Sequence, residues 1–392
     1  MRKDAPTPDL APVVTQDLSA AALLARARAL QPLLRAAAPR IEAARELPPD
    51  VLDALHDAGL FRLLIPRDLG GAETDLITLA RVIETVAEAD ASCAWCLGQA
   101  AGCAMSAAYL PRAAAWEAFG RDRRAVLAWG AGIGGEAVAD GEGWRVTGRW
   151  MFASGARHAT LLGAQCQLAG REGEVRTFIF PRARAELIDS WHVVGLRGTG
   201  SDGYAVRDLF IPDTHGLDRN VPAPRPGPLY RVPLVQCFPI TFGAVALGIA
   251  RAMLDAFTGL AADKSPRGAG RMRENAAVQG LLGQMEGRLR AARSFLMSTT
   301  AEIWADLEAG QPLSHAHSLA IRLSSTHAIH ESLAVTDSAY HEAGATAIFE
   351  QGPFERRLRD MHAVAQQIQG RRANFELVGR HLLGMTDAPL FF

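Results

Sequence analysis

The amino-acid sequence predicts an α+β fold in which a β domain lies between two helical domains. Apolar residues recur with the period of an α-helix near both ends of the chain, whereas the middle contains short apolar runs separated by glycines. With 392 residues, 49% of them hydrophobic, the chain is long enough to bury the cores of two or three domains. The predicted domains are helical over 18–122, β over 123–225 and helical again over 226–392.

The N-terminal domain is predicted from a region rich in alanine, leucine and arginine. Residues 18–48 have the pattern of one long amphipathic helix or of two. A further helix starts at Pro49 and ends at Gly59, because proline suits a first helical turn and glycine suits a helix end. The segment IPRDLGG, residues 65–71, predicts a loop, and a helix follows from about Leu76 to Asp90.

The middle domain is predicted from five short runs that have the character of β-strands. They are VLAWGAGI, GWRVTGRWMFASG, TLLGAQCQL, VRTFIFPR and YAVRDLFIP. From Pro233 onward the helical period returns and persists almost to the end of the chain. The order of helices, strands and helices predicts a cleft that the β domain closes on one side and the helices close on the other.

The composition argues against several classes of function. The formal net charge is −1, so the chain lacks the excess positive charge that favours nucleic-acid binding. No uninterrupted apolar segment has the length of a membrane span, and residues 1–17 predict a disordered lead rather than a signal peptide. The five cysteines are an odd number in a long chain, which favours a reducing compartment. We therefore expect a cytoplasmic location.

Two of these cysteines, Cys93 and Cys96, form a CxxC motif inside an apolar run. No second pair of thiols and no nearby histidine accompanies them, as a metal site would require. We interpret them as buried thiols of a helix, and we predict no metal site.

The segment WRVTGRWMFASG, residues 144–155, is the most informative motif. Its apolar and polar residues alternate at about the period of a strand, with Thr147 and Gly148 at the natural place for a turn or bulge. The alternation predicts that Phe152 and Ser154 project to one face, as does Trp150 if the strand is regular. An aromatic ring beside a small hydroxyl suits a flat redox cofactor, although an amphipathic core strand has the same pattern.

Several motifs in a fixed order resemble the acyl-CoA dehydrogenase superfamily. They are the IPRDLGG loop, GRWMFASG, GLRGTGSDGY leading into DLFIP, and ERRLRDMHAVAQQIQGRRANFELVGRHLLG near the end. The resemblance covers about residues 20–385. It implies a helical N-terminal domain, a middle β-barrel or sandwich domain and a C-terminal four-helix bundle. It also implies a flavin between the β domain and the bundle, and a homotetramer.

The dehydrogenases of this superfamily need a glutamate base that removes a proton from an acyl thioester. In their commonest pattern the base follows an arginine-aspartate pair by eight residues. Counting from Arg359 and Asp360 gives Ile368. Some relatives carry the glutamate on the first helix of the C-terminal domain instead, which is Phe238 or close to it here, and no acid occurs between Asp218 and Asp255. The sequence therefore lacks a base at both positions.

At two further places the chain differs from the dehydrogenases and is similar to the flavin-dependent monooxygenases of the superfamily. The dehydrogenases have Trp-Ile-Thr-Asn-Gly where this chain has Phe-Ala-Ser-Gly-Ala at 152–156. The segment HEAGATA, at 341–347, lacks the glycine cluster that holds the adenosine half of FAD, which favours FMN. The resemblance thus implies the oxygenase component of a two-component monooxygenase, with reduced FMN (FMNH2) or FADH2 from a separate flavin reductase, O2, and a small apolar or aromatic substrate.

Two other functions stay open. One is an FAD-dependent acyl-CoA dehydrogenase with tightly bound FAD, and the other is a catalytically inactive helical scaffold. The monooxygenase hypothesis assigns Ser154 to a hydrogen bond with flavin N5, since a fixed bond there and a dry pocket favour oxygen activation. His362 is the first candidate for a base that ionises a phenolic substrate, because helical spacing points it into the groove one turn from Gln366. His158 is the reserve candidate.

Further candidate residues each have a purely structural alternative. Trp129 is expected beside the flavin or the substrate and Phe152 beside the flavin, although a buried tryptophan also fills cores. Trp150 is expected beside the flavin, the substrate or the helical domain. Arg271 and Arg273 resemble the arginine that, in this superfamily, reaches the flavin phosphate of a neighbouring subunit. Their alternative is a solvated helix face.

Overall fold

The computed structural model describes residues 17–219, 223–268 and 270–385. Helices precede a single sheet and helices follow it, which confirms the predicted α+β fold. The predicted lead at residues 1–17 lies almost wholly outside the described residues, as do residues 386–392.

The N-terminal helices follow the capping residues of the sequence. Helix α1 is one unbroken helix, and Ser19 caps it by accepting a hydrogen bond from the Ala22 amide at 3.3 Å. Asp75 and Asp90 cap α3 and α4 in the same way. The helix bounds are Ala20–Ala44 (α1), Pro49–Asp57 (α2), Leu76–Ala87 (α3), Ala91–Ala104 (α4) and Arg112–Ala115 (α5).

The middle strands form one sheet in the order β6-β7-β3-β2-β4-β5-β8, with β1 parallel to β4. The pairing of β3 with β7 shifts between Val146 and Gly148, which confirms the predicted bulge. The strand bounds are Leu127–Trp129 (β1), Gly135–Asp140 (β2), Gly143–Trp150 (β3), Leu161–Leu168 (β4), Val175–Pro181 (β5), Glu186–Ile188 (β6), Gly203–Pro212 (β7) and Gly216–Leu217 (β8).

The C-terminal domain is built around one apolar helix, α6. In the described part of the chain, the segment Leu234–Asp263 is the only helix long and apolar enough to cross a bilayer, but 83% of its apolar window is buried inside the protein. It is therefore the central helix of the fold, packed against α3, α4, α7 and α8. The helix bounds are Cys237–Asp263 (α6), Ala276–Glu308 (α7), His315–Ala343 (α8), Glu355–Ala365 (α9) and Ala373–Leu382 (α10).

Helix α4 runs along the seam between the sheet and α6. Cys93 and Cys96 are fully buried in it, which confirms their interpretation as helix thiols. Burial raises the pKa of both thiols, so they stay protonated and unreactive at neutral pH. The faces that α4 turns toward the sheet and toward α6 define the candidate site.

Candidate active site

The informative motif leaves the sheet earlier than the sequence pattern predicts. Strand β3 ends at Trp150, and Phe152 takes the left-handed backbone conformation with φ of 63°. This conformation turns the chain, so Phe152 is 64% exposed while Ser154 is buried. The prediction that the two side chains share a strand face is therefore wrong, because positive φ breaks the alternation of a strand.

Trp150 belongs to the core of the β domain. Its ring is 1% exposed and stacks on Tyr204, with 5.4 Å between the ring centroids. Its indole N–H donates to the carbonyl oxygen of Gln165 at 3.0 Å. The prediction of a role in substrate or flavin binding is therefore corrected, because the ring is buried in the core of the β domain.

Ser154 belongs to a chain of buried hydrogen bonds that starts at Trp95. The Trp95 indole N–H donates to Ser154 Oγ at 2.9 Å, and Ser154 Oγ lies 2.8 Å from Ser201 Oγ. Ser201 Oγ lies 2.7 Å from Thr199 Oγ1, which donates to the Leu196 carbonyl oxygen at 2.8 Å.

The two ends of this chain fix its direction. The Trp95 N–H can only donate, and the Thr199 hydroxyl donates its proton to a carbonyl oxygen. Ser201 must therefore donate to Thr199, and Ser154 must donate to Ser201. The proton of Ser154 is thereby committed inside the protein. What Ser154 Oγ offers to a bound molecule is a lone pair, that is, a hydrogen-bond acceptor.

Asp360 of α9 holds the far end of this network. Its Oδ1 accepts a hydrogen bond from the Leu196 amide at 2.6 Å, and Leu196 has the strained backbone φ of 52°. A side chain on the adjacent Gly195 would meet the Arg359 carbonyl oxygen at 2.1 Å, so the loop and α9 touch backbone to backbone. Burial raises the pKa of Asp360 to about 7. This carboxyl is committed to the loop rather than directed into the cleft.

An aromatic row follows α4 and α6 away from Ser154. The Trp95 and Phe242 rings stack with 3.9 Å between their centroids, Phe238 lies 6.0 Å from Phe242, and Trp129 lies 6.4 Å from Phe238. The guanidinium of Arg219 stands over Trp129 at 5.6 Å. Trp95, Phe242 and Arg219 were not predicted as site residues from the sequence. The helical period of WCLGQ and FPITF was the available signal, but it did not show which faces of α4 and α6 meet.

His362 does not lie beside Ser154. The buried face of α9 carries Asp360, Met361 and Val364, whereas His362 lies on the exposed face with Nε2 at 2.9 Å from Asp337 Oδ1 of α8. Both side chains of this ion pair are 47% exposed. Gln366 is also exposed. The prediction that His362 and Gln366 point into the groove is therefore corrected, because the rotation of α9 turns them outward.

His158 packs against the N-terminal domain. Its ring centroid lies 5.7 Å from that of Phe61, and its Nε2 has no hydrogen-bond partner among the described residues. Burial lowers the pKa of His158 to about 3, with a smaller contribution from His56. A histidine with so low a pKa is a weak general base at neutral pH, so the structure does not support the reserve candidate.

Arg271 and Arg273 are exposed in a short helical turn, Met272–Glu274, between α6 and α7. Arg271 has one weak contact, to Glu274 at 3.9 Å. The predicted contact of both arginines with the flavin phosphate of a neighbouring subunit stays a prediction.

Both positions for a dehydrogenase base are apolar. Ile368 starts the turn Ile368–Gly370, which Asn374 fixes by donating to the Ile368 carbonyl oxygen at 3.1 Å. Phe238 is part of the aromatic row. The carboxylate of Asp202, the residue after Ser201, pairs with Arg157 at 2.5 Å and accepts hydrogen bonds from the amides of Ser190 and Trp191.

Comparisons with known proteins agree with this geometry. The acyl-CoA dehydrogenase N-terminal domain model matches residues 20–117, and the acyl-CoA dehydrogenase C-terminal domain model matches residues 240–370. The chain is 30% identical to indole-3-acetate monooxygenase of Pseudomonas putida over 353 residues, which cover 88% of this chain and 89% of that protein. It is 29% identical to the flavin-dependent monooxygenase oxygenase subunit HsaA of Rhodococcus jostii, with 86% and 92% covered.

The crystal structure of the HsaA monooxygenase of Mycobacterium tuberculosis superposes with a TM-score of 0.88. It covers 95% of this chain and 99% of that one, at 26% sequence identity. The chain belongs to the acyl-CoA dehydrogenase superfamily. Within that superfamily its relatives are flavin-dependent monooxygenases, as the apolar residues at both base positions also indicate.

Proposed function

We propose that this protein is the oxygenase component of a two-component monooxygenase. It takes reduced FMN or FADH2 from a separate flavin reductase and uses O2 to oxidise a small apolar or aromatic substrate. The observation that carries the proposal is the direction of the buried hydroxyl chain, which leaves Ser154 Oγ as an acceptor. Reduced flavin has an N–H at N5, whereas oxidised flavin has a bare acceptor there. Ser154 is therefore matched to the reduced form.

The residues around Ser154 fit a flat cofactor. Phe152 holds a large ring in an exposed position by means of a strained backbone, and its ring meets Trp191 edge to face at 6.2 Å. An aromatic surface beside a hydrogen-bond acceptor would hold the flavin ring there, and Trp129 stands further along the seam. When bound, the reduced flavin supplies the electrons that activate O2.

The protein residues then have three tasks. Ser154 keeps the N5 proton in place by accepting it in a hydrogen bond. The rings of Trp95, Phe238 and Phe242 form an apolar wall that keeps water from the reacting region. Ile368 and Phe238 leave no carboxylate at the two places from which a thioester proton is removed, so this chain does not support desaturation of an acyl-CoA.

Assembly and location belong to the same proposal. We expect a cytoplasmic homotetramer, in which the exposed Arg271 and Arg273 meet the flavin phosphate of a neighbouring subunit. Guanidinium groups suit this contact, because they bind phosphate with two parallel hydrogen bonds.

Anaerobic equilibrium dialysis of the flavin-free protein tests the proposal. We expect reduced FMN to bind at least about 10-fold more tightly than oxidised FMN, the factor that one mismatched hydrogen bond produces. Octanoyl-CoA, added to the protein loaded with FAD, should leave the flavin yellow. Equal binding of both redox forms, or bleaching of FAD by octanoyl-CoA, would contradict the proposal and favour an acyl-CoA dehydrogenase.

A further inference from the structure

Arg219 is a cation among neutral groups. It lies at the seam of the sheet with α4 and α6, where its guanidinium covers the Trp129 ring and donates to Gln165 Oε1. The other polar groups near it are Cys103 and Tyr204. Within residues 17–219, 223–268 and 270–385 no carboxylate forms an ion pair with Arg219.

This arrangement is unfavourable without a ligand. A half-buried guanidinium loses part of its hydration, and a neutral amide and an aromatic ring restore only some of it. The same burial lowers the pKa of Arg219. The half-buried Arg251 is paired with Glu286 at 2.7 Å, and the buried Arg62 donates to four backbone carbonyl oxygens. Among the described residues, Arg219 has neither a carboxylate partner nor such a set of carbonyl oxygens.

Arg219 lies on the same seam as Ser154. Trp95, which touches Ser154, and Cys103, which faces Arg219, are eight residues apart on α4, or about 12 Å at 1.5 Å per residue. The aromatic row extends along the seam between these two ends. The seam thus has a hydrogen-bond acceptor at one end, aromatic rings along its length and a cation at the other end.

We propose that Arg219 binds the carboxylate of the substrate, and that the substrate is an aromatic acid of one or two rings. This inference rests on the proposed function and specifies its substrate class. The guanidinium pairs with the carboxylate, and the ring of the acid lies against Phe238 and Trp129. The ring edge that reaches the Ser154 end is the edge furthest from the carboxylate, so oxidation occurs there.

Calorimetric titration of the flavin-free protein tests this inference. The probes are 1-naphthylacetate and phenylacetate, each compared with its neutral amide. We expect each acid to bind about 10- to 100-fold more tightly than its amide, which is the range of a charge-assisted hydrogen bond. In R219Q this preference should vanish, and in R219K it should persist in part, because lysine keeps the charge but not the planar fork. R184Q, which alters an exposed arginine of the same domain, is the control and should keep the full preference.

A second measurement separates binding from folding. Replacing an unpaired, half-buried cation by an apolar residue of similar length leaves stability unchanged or improves it. R219M without ligand should therefore melt at the same temperature as the wild type or higher, and 1-naphthylacetate should raise the melting temperature of the wild type alone.

Equal affinity of the wild type for acids and amides would overturn the inference. A strongly lowered melting temperature of R219M, together with equal weakening of acid and amide binding, would also overturn it. Arg219 would then be a structural residue. These titrations need neither flavin nor turnover. The titrations can therefore still be interpreted if the oxygenase proposal is wrong. If instead Arg219 does not bind the carboxylate, the oxygenase proposal is unaffected.

Discussion

At the scale of single residues, the site depends on which atom of Ser154 is free. A serine hydroxyl can donate and accept, and its partners decide which of the two a ligand meets. Trp95 and Thr199 fix the direction of the whole chain. The redox form of flavin that this site prefers is thus determined by hydrogen bonds behind Ser154.

For His362, the structure and the sequence pattern predict different effects of a substitution. Its ion pair with Asp337 is half-exposed, and such pairs contribute about 0–1 kcal/mol to stability. We expect H362Q to unfold within about 1 kcal/mol of the wild type and to keep its turnover within about 3-fold. Turnover measured with reductase, together with urea unfolding, checks this. A loss of 100-fold or more in turnover, at unchanged stability, would restore His362 as the base.

At the scale of elements, the contact of the loop 196–203 with α9 organises the site. Asp360 joins α9 to this loop through the Leu196 amide, and the loop carries the hydroxyls that position Ser154. The charged groups near Asp360 include Asp90 at the N-cap of α4, Glu42 of α1, and Arg356 and Arg357 of α9. The protonation of Asp360 therefore affects two helices and the loop together.

A pH dependence follows from the raised pKa of Asp360. Burial raises this pKa from 3.8 to about 7, so the native state holds a proton that the unfolded chain has lost above pH 4. The free energy of unfolding therefore falls as pH rises toward 7, by about 3 kcal/mol between pH 5 and pH 8 at 1.36 kcal/mol for each pH unit. D360N carries no such proton and should lose this slope. Urea unfolding at pH 5, 6, 7 and 8 measures it, and parallel curves for D360N and the wild type would refute the assignment.

At the scale of the whole molecule, much of the fold follows from periodicity alone. The switch from helical to strand period and back predicts the order of the three parts, and the glycine-containing bulge near Gly148 appears where Thr147 and Gly148 indicate it. Counting residues from Arg359 and Asp360 also suffices to show that position 368 has no acid. These inferences succeed because they depend on local sequence.

The parts that the sequence could not predict depend on contacts between distant segments. Trp95 and Ser154 are 59 residues apart, and their hydrogen bond requires the docking of α4 against the loop after β3. The positive φ of Phe152 ends the strand pattern, although phenylalanine gives no local sign of it. His362 fails as a groove residue because the rotation of α9 is set by Asp360 and Met361, which the loop and the core hold.

In the proposed function, Ser154 supports oxygen activation by reduced flavin because its Oγ acts as a hydrogen-bond acceptor. Stopped-flow mixing of the anaerobic protein and reduced FMN with oxygenated buffer measures this most directly, in the wild type, S154A and the control S154T. We predict a transient absorbance that differs from the spectra of both reduced and oxidised FMN. Its lifetime should be about 10-fold shorter in S154A, as expected for the loss of one hydrogen bond, and unchanged in S154T. Direct reoxidation of FMN by the wild type without a transient, or an unchanged lifetime in S154A, would contradict the claim.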